Sequence, residues 1–361
     1  MNSQRDRLWK KITALIDRLA PGGRDDRARD ALLCEVLAWQ AEKVQPYRKL
    51  VESSRLKPRQ QCRRADSFVA LPTEVFRYAR VAWHDSSNDR AVFRTSGTTV
   101  SARGSHHIFD LSLYDRAARV RAKYALFPDV ELMRLFVLAP TYQQAGDSSL
   151  SYMLERFIAW FGSGQSEFVW RDDGLDLEKL ARALDRAVKD NVPVALLGTS
   201  FAFVHAEEGF QEQRWSLPHG SRVMQTGGFK GRSREVQSEV LRASLSKRYG
   251  IDEAYIIQEY GMTELCSQMY ETTLRDAVER RRGGARRFYP PGWVRASVVD
   301  PETLAPLKAR DAGLLRIDDL ANLDSVCAIQ TSDLARVEQD GFVLLGRATG
   351  STPRGCSIVW D

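Results

Sequence analysis

Val192-Pro193-Val194-Ala195-Leu196-Leu197 reads as a short buried strand, and the segment before it carries Leu177, Leu180, Leu184 and Val188 at the steps of an amphipathic helix. The alternation extends in both directions. Upstream, Leu132 to Ala139 is a strand, a helix follows with Leu150, Met153, Leu154, Phe157, Ile158 and Phe161 on one face, and Phe168 to Trp170 is a further short strand. Downstream, Val223 to Gln225, a helix from Arg234 to Tyr249, and Ala254 to Gln258 repeat the scheme. Strands alternating with helices of this length specify an α/β fold, a mostly parallel sheet wrapped by helices. Ligands of such sheets sit at the carboxyl ends of the strands.

Outside this alternation the texture changes at both ends. Leu8, Ile12, Ile16 and Leu19 define one helix, Pro21-Gly22-Gly23 breaks it, and Leu32, Val36 and Trp39 define the next. After about Pro290 the segments shorten and turn signals multiply, at Pro301-Glu302, Asp311-Ala312-Gly313 and Asp340-Gly341. The expected organisation is an N-terminal helical cap region over 1–90, an α/β core over 91–290, and a small β-rich subdomain with a C-terminal tail over 291–361.

At 361 residues, with 43% hydrophobic and 28% charged residues, the chain has ordinary globular composition. The net charge of +6 favours anionic partners without choosing among nucleotides, coenzyme A, acidic carrier proteins and nucleic acid. Its densest expression, Arg280 to Arg287, reads as a solvated loop, with docking of an acidic partner as the sharper alternative. Cys34, Cys62, Cys266, Cys327 and Cys356 are odd in number and widely spread, which excludes a zinc-knuckle or disulfide framework and fits a reducing cytoplasm. No apolar run is long enough to span a bilayer, and Met1-Asn2-Ser3-Gln4-Arg5-Asp6 lacks the apolar core of a signal peptide, so a soluble protein is expected.

Three segments carry chemistry. Thr95-Ser96-Gly97-Thr98-Thr99 can wrap a polyphosphate with hydroxyls and backbone N–H groups, although it lacks the lysine and spacing of a Walker A loop. A plain turn is the alternative. Tyr260-Gly261-Met262-Thr263-Glu264 follows the strand expected at 254–258, and a carboxylate there suits Mg²⁺, a hard cation usually held by one or two carboxylates together with substrate phosphates. Thr331-Ser332-Asp333 precedes Gly346-Arg347 across a hairpin-like Glu338-Gln339-Asp340-Gly341; an Asp can accept from ribose hydroxyls and an Arg can pair with phosphate, and each alone reads as a surface charge. His106 and His107 read as packing or surface residues, because no further His or Cys lies at ligand spacing.

In this order and separation the three segments resemble the acyl-adenylate-forming superfamily of acyl-CoA synthetases, nonribosomal adenylation domains and firefly luciferase. More closely, the chain resembles the acyl-protein synthetase family of the bacterial bioluminescence fatty acid reductase complex. That resemblance rests on Thr95 to Thr99 with Arg103-Gly104-Ser105-His106, Thr226-Gly227-Gly228-Phe229-Lys230-Gly231, Glu259 to Glu264 with Ser267-Gln268, and Gly346-Arg347 to Arg354-Gly355-Cys356-Ser357. It implies ATP and Mg²⁺ as cofactors, with Thr95, Ser96, Gly97, Thr98 and Thr99 on the phosphates and Glu264 on the metal. It further implies Gly227, Gly228 and Phe229 at the adenine, Tyr260, Gly261, Met262 and Thr263 around the nucleotide, Asp333 on the ribose, and Arg347 on ribose or phosphate. Lys230 is implied as an α-phosphate contact, and Cys356 as the thiol that receives the acyl group from the adenylate.

The implied activity is activation of a carboxylic acid, a fatty acid in this family, to an acyl-adenylate, with the acyl group passing to Cys356 or to a partner reductase or acyl carrier protein. The same chemistry with coenzyme A or acyl carrier protein as acceptor is the first alternative. A binding protein without turnover is the second. Val100 replaces the glycine that ends the family's phosphate loop, Arg103 a lysine, and Ser332 the glycine before the aspartate. Relatives continue past their Gly-Arg pair into a mobile lid with a catalytic lysine, whereas this chain stops at Asp361. The expectation is therefore an adenylate-forming N-terminal domain type without that lid, with Lys230 or Arg347 in the lysine's place. Neither nucleic acid binding nor a membrane span is expected.

Overall fold

The computed structural model describes residues 3–20, 22–54, 67–96, 103–172, 174–227, 238–281, 285–308 and 310–348. The chain forms two compact units, one of residues 1–120, 262–268 and 289–361, the other of 121–261 and 269–288.

In the first unit, helices Ser3–Leu19, Asp26–Lys43 and Gln45–Ser53 bury the apolar positions the sequence sets in register, including Leu8, Ile12, Ile16, Leu19, Leu32, Val36 and Trp39. Asp25 starts the second helix by accepting from the Ala28 N–H, and Pro46 suits the first turn of the third, where its missing N–H is not needed. Buried Gln40 donates to the carbonyls of Asn322 and Leu323 and accepts from the N–H of Cys327, fastening the second helix to the sheet. That sheet runs Leu71–Pro72, Ala328–Glu338, Ala312–Asp319, Val294–Val299, with Gly341–Arg347 also pairing with Ala328–Glu338. All its pairings are antiparallel except that of Leu71–Pro72. The hairpin expected at Glu338 to Gly341 is present, with Gln339 at a φ of 52° in its turn. Asp311-Ala312-Gly313 is not a turn but leads into a strand, where a side chain on Gly313 would meet the Val299 carbonyl at 2.5 Å. A separate hairpin pairs Ala91–Arg94 with Ser105–Ile108.

The second unit holds the alternating α/β pattern. Its six strands lie in the order Met269–Tyr270, Ile256–Tyr260, Arg222–Thr226, Val194–Thr199, Arg134–Leu138, Glu167–Phe168, parallel throughout except for the first pair. Leu180, Leu184, Phe203 and Leu245 from the helices pack on Phe136, Leu196, Val223 and Ile256 from the strands. Gly198 allows two strands to approach, since a Cβ there would lie 2.9 Å from Leu138 Cβ.

Three local expectations shift. The strand expected at 254–258 is Ile256–Tyr260, because Asp252 caps a short 3₁₀ turn, Glu253–Tyr255, through the Ala254 N–H. Phe168 to Trp170 is not continuous: Glu167–Phe168 pairs in the main sheet, while Trp170–Arg171 turns away to pair with Gly174–Leu175. Val188 lies 40% exposed in the last turn of its helix, whose apolar face is completed by Leu180, Ala183, Leu184 and Ala187.

Candidate active site

In the second unit four parallel strands end at one edge, and the segments leaving that edge are those the sequence singles out. After Leu138 the chain enters Thr141, which caps the helix Tyr142–Ala145 in a reciprocal capping box with Gln144. After the next strand Thr199 caps Ser200–Phe210, and the Ser200 hydroxyl donates to the Gly227 carbonyl at 3.0 Å. Gly227 takes a φ of 73°, a conformation that favours glycine, and among the described residues a Cβ there would meet nothing within 4 Å. Gly228, Phe229 and Lys230 lie outside the described residues.

At the same edge sits a carboxyl group the motif reading passes over. Glu259, 4% exposed, accepts a hydrogen bond from the Thr226 hydroxyl of the neighbouring strand. Burial pushes its carboxyl up to about 7, against the pull of Thr226. Tyr260 follows with its ring tilted against Phe288 at 5.7 Å, and a Cβ on Gly261 would lie 2.3 Å from Glu259 Oε1, so a side chain there would displace that carboxyl.

The boundary between the units falls inside the motif, after Gly261. In the first unit Met262 to Ser267 is a turn pinned by buried side chains. The Leu265 N–H reaches the Met262 carbonyl at 3.1 Å. His106 contacts the Thr263 carbonyl through Nδ1 at 2.8 Å, and Asn322 donates to the Glu264 carbonyl at 2.8 Å. Asp319 accepts from the Cys266 N–H at 3.1 Å and the Ser267 hydroxyl at 2.7 Å, and Trp293 donates to the same hydroxyl at 3.0 Å. Burial raises Asp319 to about 6 against these donors and lowers His106 to about 4, so the imidazole is neutral at physiological pH. Glu264 is 6% exposed. Among the described residues no group of three or more His, Cys, Asp and Glu could hold a metal. A buried carboxylate is a donor that Mg²⁺ accepts, since this cation usually takes one or two carboxylates together with substrate phosphates.

The expected phosphate loop begins directly after Ala91–Arg94, which pairs with Ser105–Ile108 in a hairpin of this unit. Thr95 closes its base: its N–H donates to the Gly104 carbonyl and its Oγ accepts from the Gly104 N–H, both at 2.9 Å, while Arg103 Nε donates to its carbonyl at 2.6 Å. Ser96 is exposed, and Gly97, Thr98 and Thr99 lie outside the described residues. Asp333 and Arg347 are brought together as a cross-strand pair, with Nε of Arg347 3.1 Å from the Asp333 carboxylate. Opposite the strand Ala312–Asp319 the register shifts at this point, and Thr331 turns its hydroxyl to the Leu315 carbonyl while its Oγ accepts from the Asp333 N–H. The bulge lifts the Thr-Ser-Asp segment out of the regular ladder, a common device where a strand must aim a side chain.

Of the histidines, His106 is buried as expected, and His107 joins His84 and Arg80 around the Asp89 carboxylate. Arg286 of the basic run departs from the solvated-loop reading: it lies half-buried on Glu271 and donates to the carbonyls of Ile256 and Glu253. Cys266 and Cys327 are buried, and burial pushes both thiols well up, so neither is poised as a thiolate. Cys356 lies outside the described residues.

The family model for acyl-protein synthetase, LuxE, matches residues 23–361. The chain belongs to the LuxE family of acyl-protein synthetases. A curated relative, the long-chain-fatty-acid–luciferin-component ligase of Aliivibrio fischeri, is 23% identical over 283 residues, which cover 76% of this chain and 70% of the relative. The fold is similar to that of a 2-hydroxyisobutyryl-CoA ligase solved with an acyl-AMP and coenzyme A, with a TM-score of 0.63 at 14% identity over 91% of this chain and 77% of that one. It is also similar to ATP-bound MatB from Rhodopseudomonas palustris, with a TM-score of 0.50 at 16% identity over 73% of this chain and 49% of that one. The chain is thus a LuxE-family ligase with an α/β fold like that of adenylate-forming ligases. No helix among the described residues is long and apolar enough to cross a membrane.

Proposed function

We propose that this LuxE-family chain activates a long-chain fatty acid with ATP, and that the acyl group then passes to a protein thiol. The observation that carries the reading is the pinned turn: buried His106, Asn322 and Asp319 fix the backbone on both sides of Glu264. Preorganisation of this kind suits a metal that takes its other ligands from phosphates. Bound there, Mg²⁺ would neutralise charge on the polyphosphate.

In this reading Thr95 to Thr99 wrap the phosphates, Asp333 accepts from the ribose hydroxyls, and Arg347 leaves its partner Asp333 for ribose or phosphate. Gly227, Gly228 and Phe229 line the adenine, Tyr260 to Thr263 border the nucleotide, and Lys230 contacts the α-phosphate. A carboxylate oxygen attacks the α-phosphorus, the bond to the bridging oxygen breaks, and pyrophosphate leaves. Sulfur then attacks the acyl carbonyl carbon, and AMP leaves. Splitting the acylation into two steps through a covalent acyl-thiol has a kinetic rationale. Cys356 is the thiol we assign.

Exchange of labelled pyrophosphate into ATP, dependent on a fatty acid and lost in Glu264→Gln, is the expected result. Intact mass after ATP and fatty acid should show an acyl adduct that Cys356→Ser removes. Absence of exchange with every acid of a broad panel would instead leave a ligand-binding protein, and exchange without the adduct would move the acceptor to coenzyme A or a carrier protein.

A further inference from the structure

His106 stands opposite Phe93 in the hairpin that carries the phosphate loop. Its ring is 1% exposed and meets Phe76 edge-on at 5.7 Å. Packing alone would be served by an apolar ring of similar size, but both ring nitrogens are engaged. Nδ1 lies 2.8 Å from the Thr263 carbonyl, and Nε2 lies 2.9 Å from the Ser325 hydroxyl. A carbonyl oxygen can only accept, so Nδ1 carries the proton; Nε2 then offers a lone pair, which the Ser325 O–H fills. Tautomer and ring orientation are therefore set from both sides. The strand that leads out of the phosphate loop is thereby bonded to the carbonyl that precedes Glu264.

We propose that His106 is a positioning residue that couples the phosphate-loop hairpin to the backbone presenting Glu264, so that the phosphates and the metal carboxylate keep one geometry. The inference rests on the reading of Glu264 and Thr95–Thr99 as the Mg·ATP site. Residues that orient a metal ligand without touching the metal are typically worth about 10- to 100-fold in affinity or activity. The sequence reading leaves His106 in the packing class, because the signal that separates it from His107 is a partner more than 150 residues away.

Three measurements test it. In the nucleotide-free protein, ¹⁵N NMR of labelled histidine should show a neutral His106 ring with Nδ1–H and bare Nε2; an Nε2–H ring would overturn the proposal. In pyrophosphate exchange, His106→Phe should raise the half-saturating Mg²⁺ concentration about tenfold or more while the acid KM stays within about twofold, and His106→Asn, which keeps a donor near Nδ1, should recover most of the loss. Ser325→Ala, which keeps the ring and removes its orienting donor, should shift Mg²⁺ dependence in the same direction by less. An unmoved Mg²⁺ dependence in His106→Phe, or equal losses in Phe and Asn, would reduce His106 to packing. Should His106→Phe fail to fold, the tautomer and Ser325→Ala decide, and no shift in Ser325→Ala overturns the coupling. Glu264→Gln separates the two layers: if it leaves exchange intact the site reading fails, whereas if it abolishes exchange and His106→Phe moves nothing, only this inference fails.

Discussion

Glu259→Gln isolates a buried charge at the sheet edge. The Glu259 carboxyl is raised from 4.5 to about 7 by burial, while its hydrogen bond from Thr226 acts the other way. Between those values the folded protein holds a proton that the unfolded chain has released, so stability falls as pH rises; the stability is fully present below the unfolded value and gone above the folded one. At about 1.4 kcal/mol per pH unit, the ionised form costs about 3 kcal/mol by pH 8. Glutamine keeps the shape and an acceptor for Thr226 and cannot ionise. Urea unfolding at pH 5 and pH 8, read by pulsed hydrogen exchange on peptides covering Ile256–Tyr260, should show the variant gaining on the parent by about 2–3 kcal/mol between the two pH values. Equal pH dependence in the two proteins would refute the argument, since it would mean that Glu259 ionises in the fold without penalty.

Other consequences are independent of this one. Arg222, fully buried, forms a bidentate pair with Asp129 at 2.7 and 2.9 Å and donates to the carbonyls of Leu126 and Gly220; Arg222→Ala should cost the second unit about 3–5 kcal/mol in denaturant unfolding. Asp333 and Arg347 pair at 3.1 Å with Arg347 61% exposed, so removing either should change stability by less than about 1 kcal/mol, while the ATP KM in exchange rises about tenfold or more. Asp89 is held down to about 2 by Arg80 and His107 in spite of burial; its stabilisation, present above the ordinary carboxylate value, should fade as pH falls from about 4 to 2, and Asp89→Asn should flatten that acid limb in circular dichroism melts.

The α/β alternation was legible because Leu180, Leu184 and Leu196 obey two different periods on either side of a short break, and burial of both faces of a parallel strand leaves an apolar run. Boundaries were less so. Whether Ala254 begins a strand depends on Asp252 offering its side chain to a backbone N–H, a local competition that hydropathy does not register. The motifs named Glu264, Asp333 and Arg347, and the cross-strand pairing of the last two followed from the hairpin turn between them. What holds Glu264 in place was not legible. Asp319 and Asn322 lie in the β-rich part more than 50 residues from the turn they bind, Ser325 bonds the His106 ring instead, and only the fold makes them neighbours. Glu259 received no role of its own because its burial comes from pairing with Thr226 and Tyr270 on the neighbouring strands.

The most direct test of the account is to name the phosphorus product. Protein incubated with ATP, Mg²⁺ and a long-chain fatty acid, then acid-quenched and analysed by mass spectrometry, should yield fatty acyl-AMP with pyrophosphate, and Glu264→Gln should yield neither. Release of ADP and inorganic phosphate in an acid-dependent reaction, with no acyl-AMP, would contradict it.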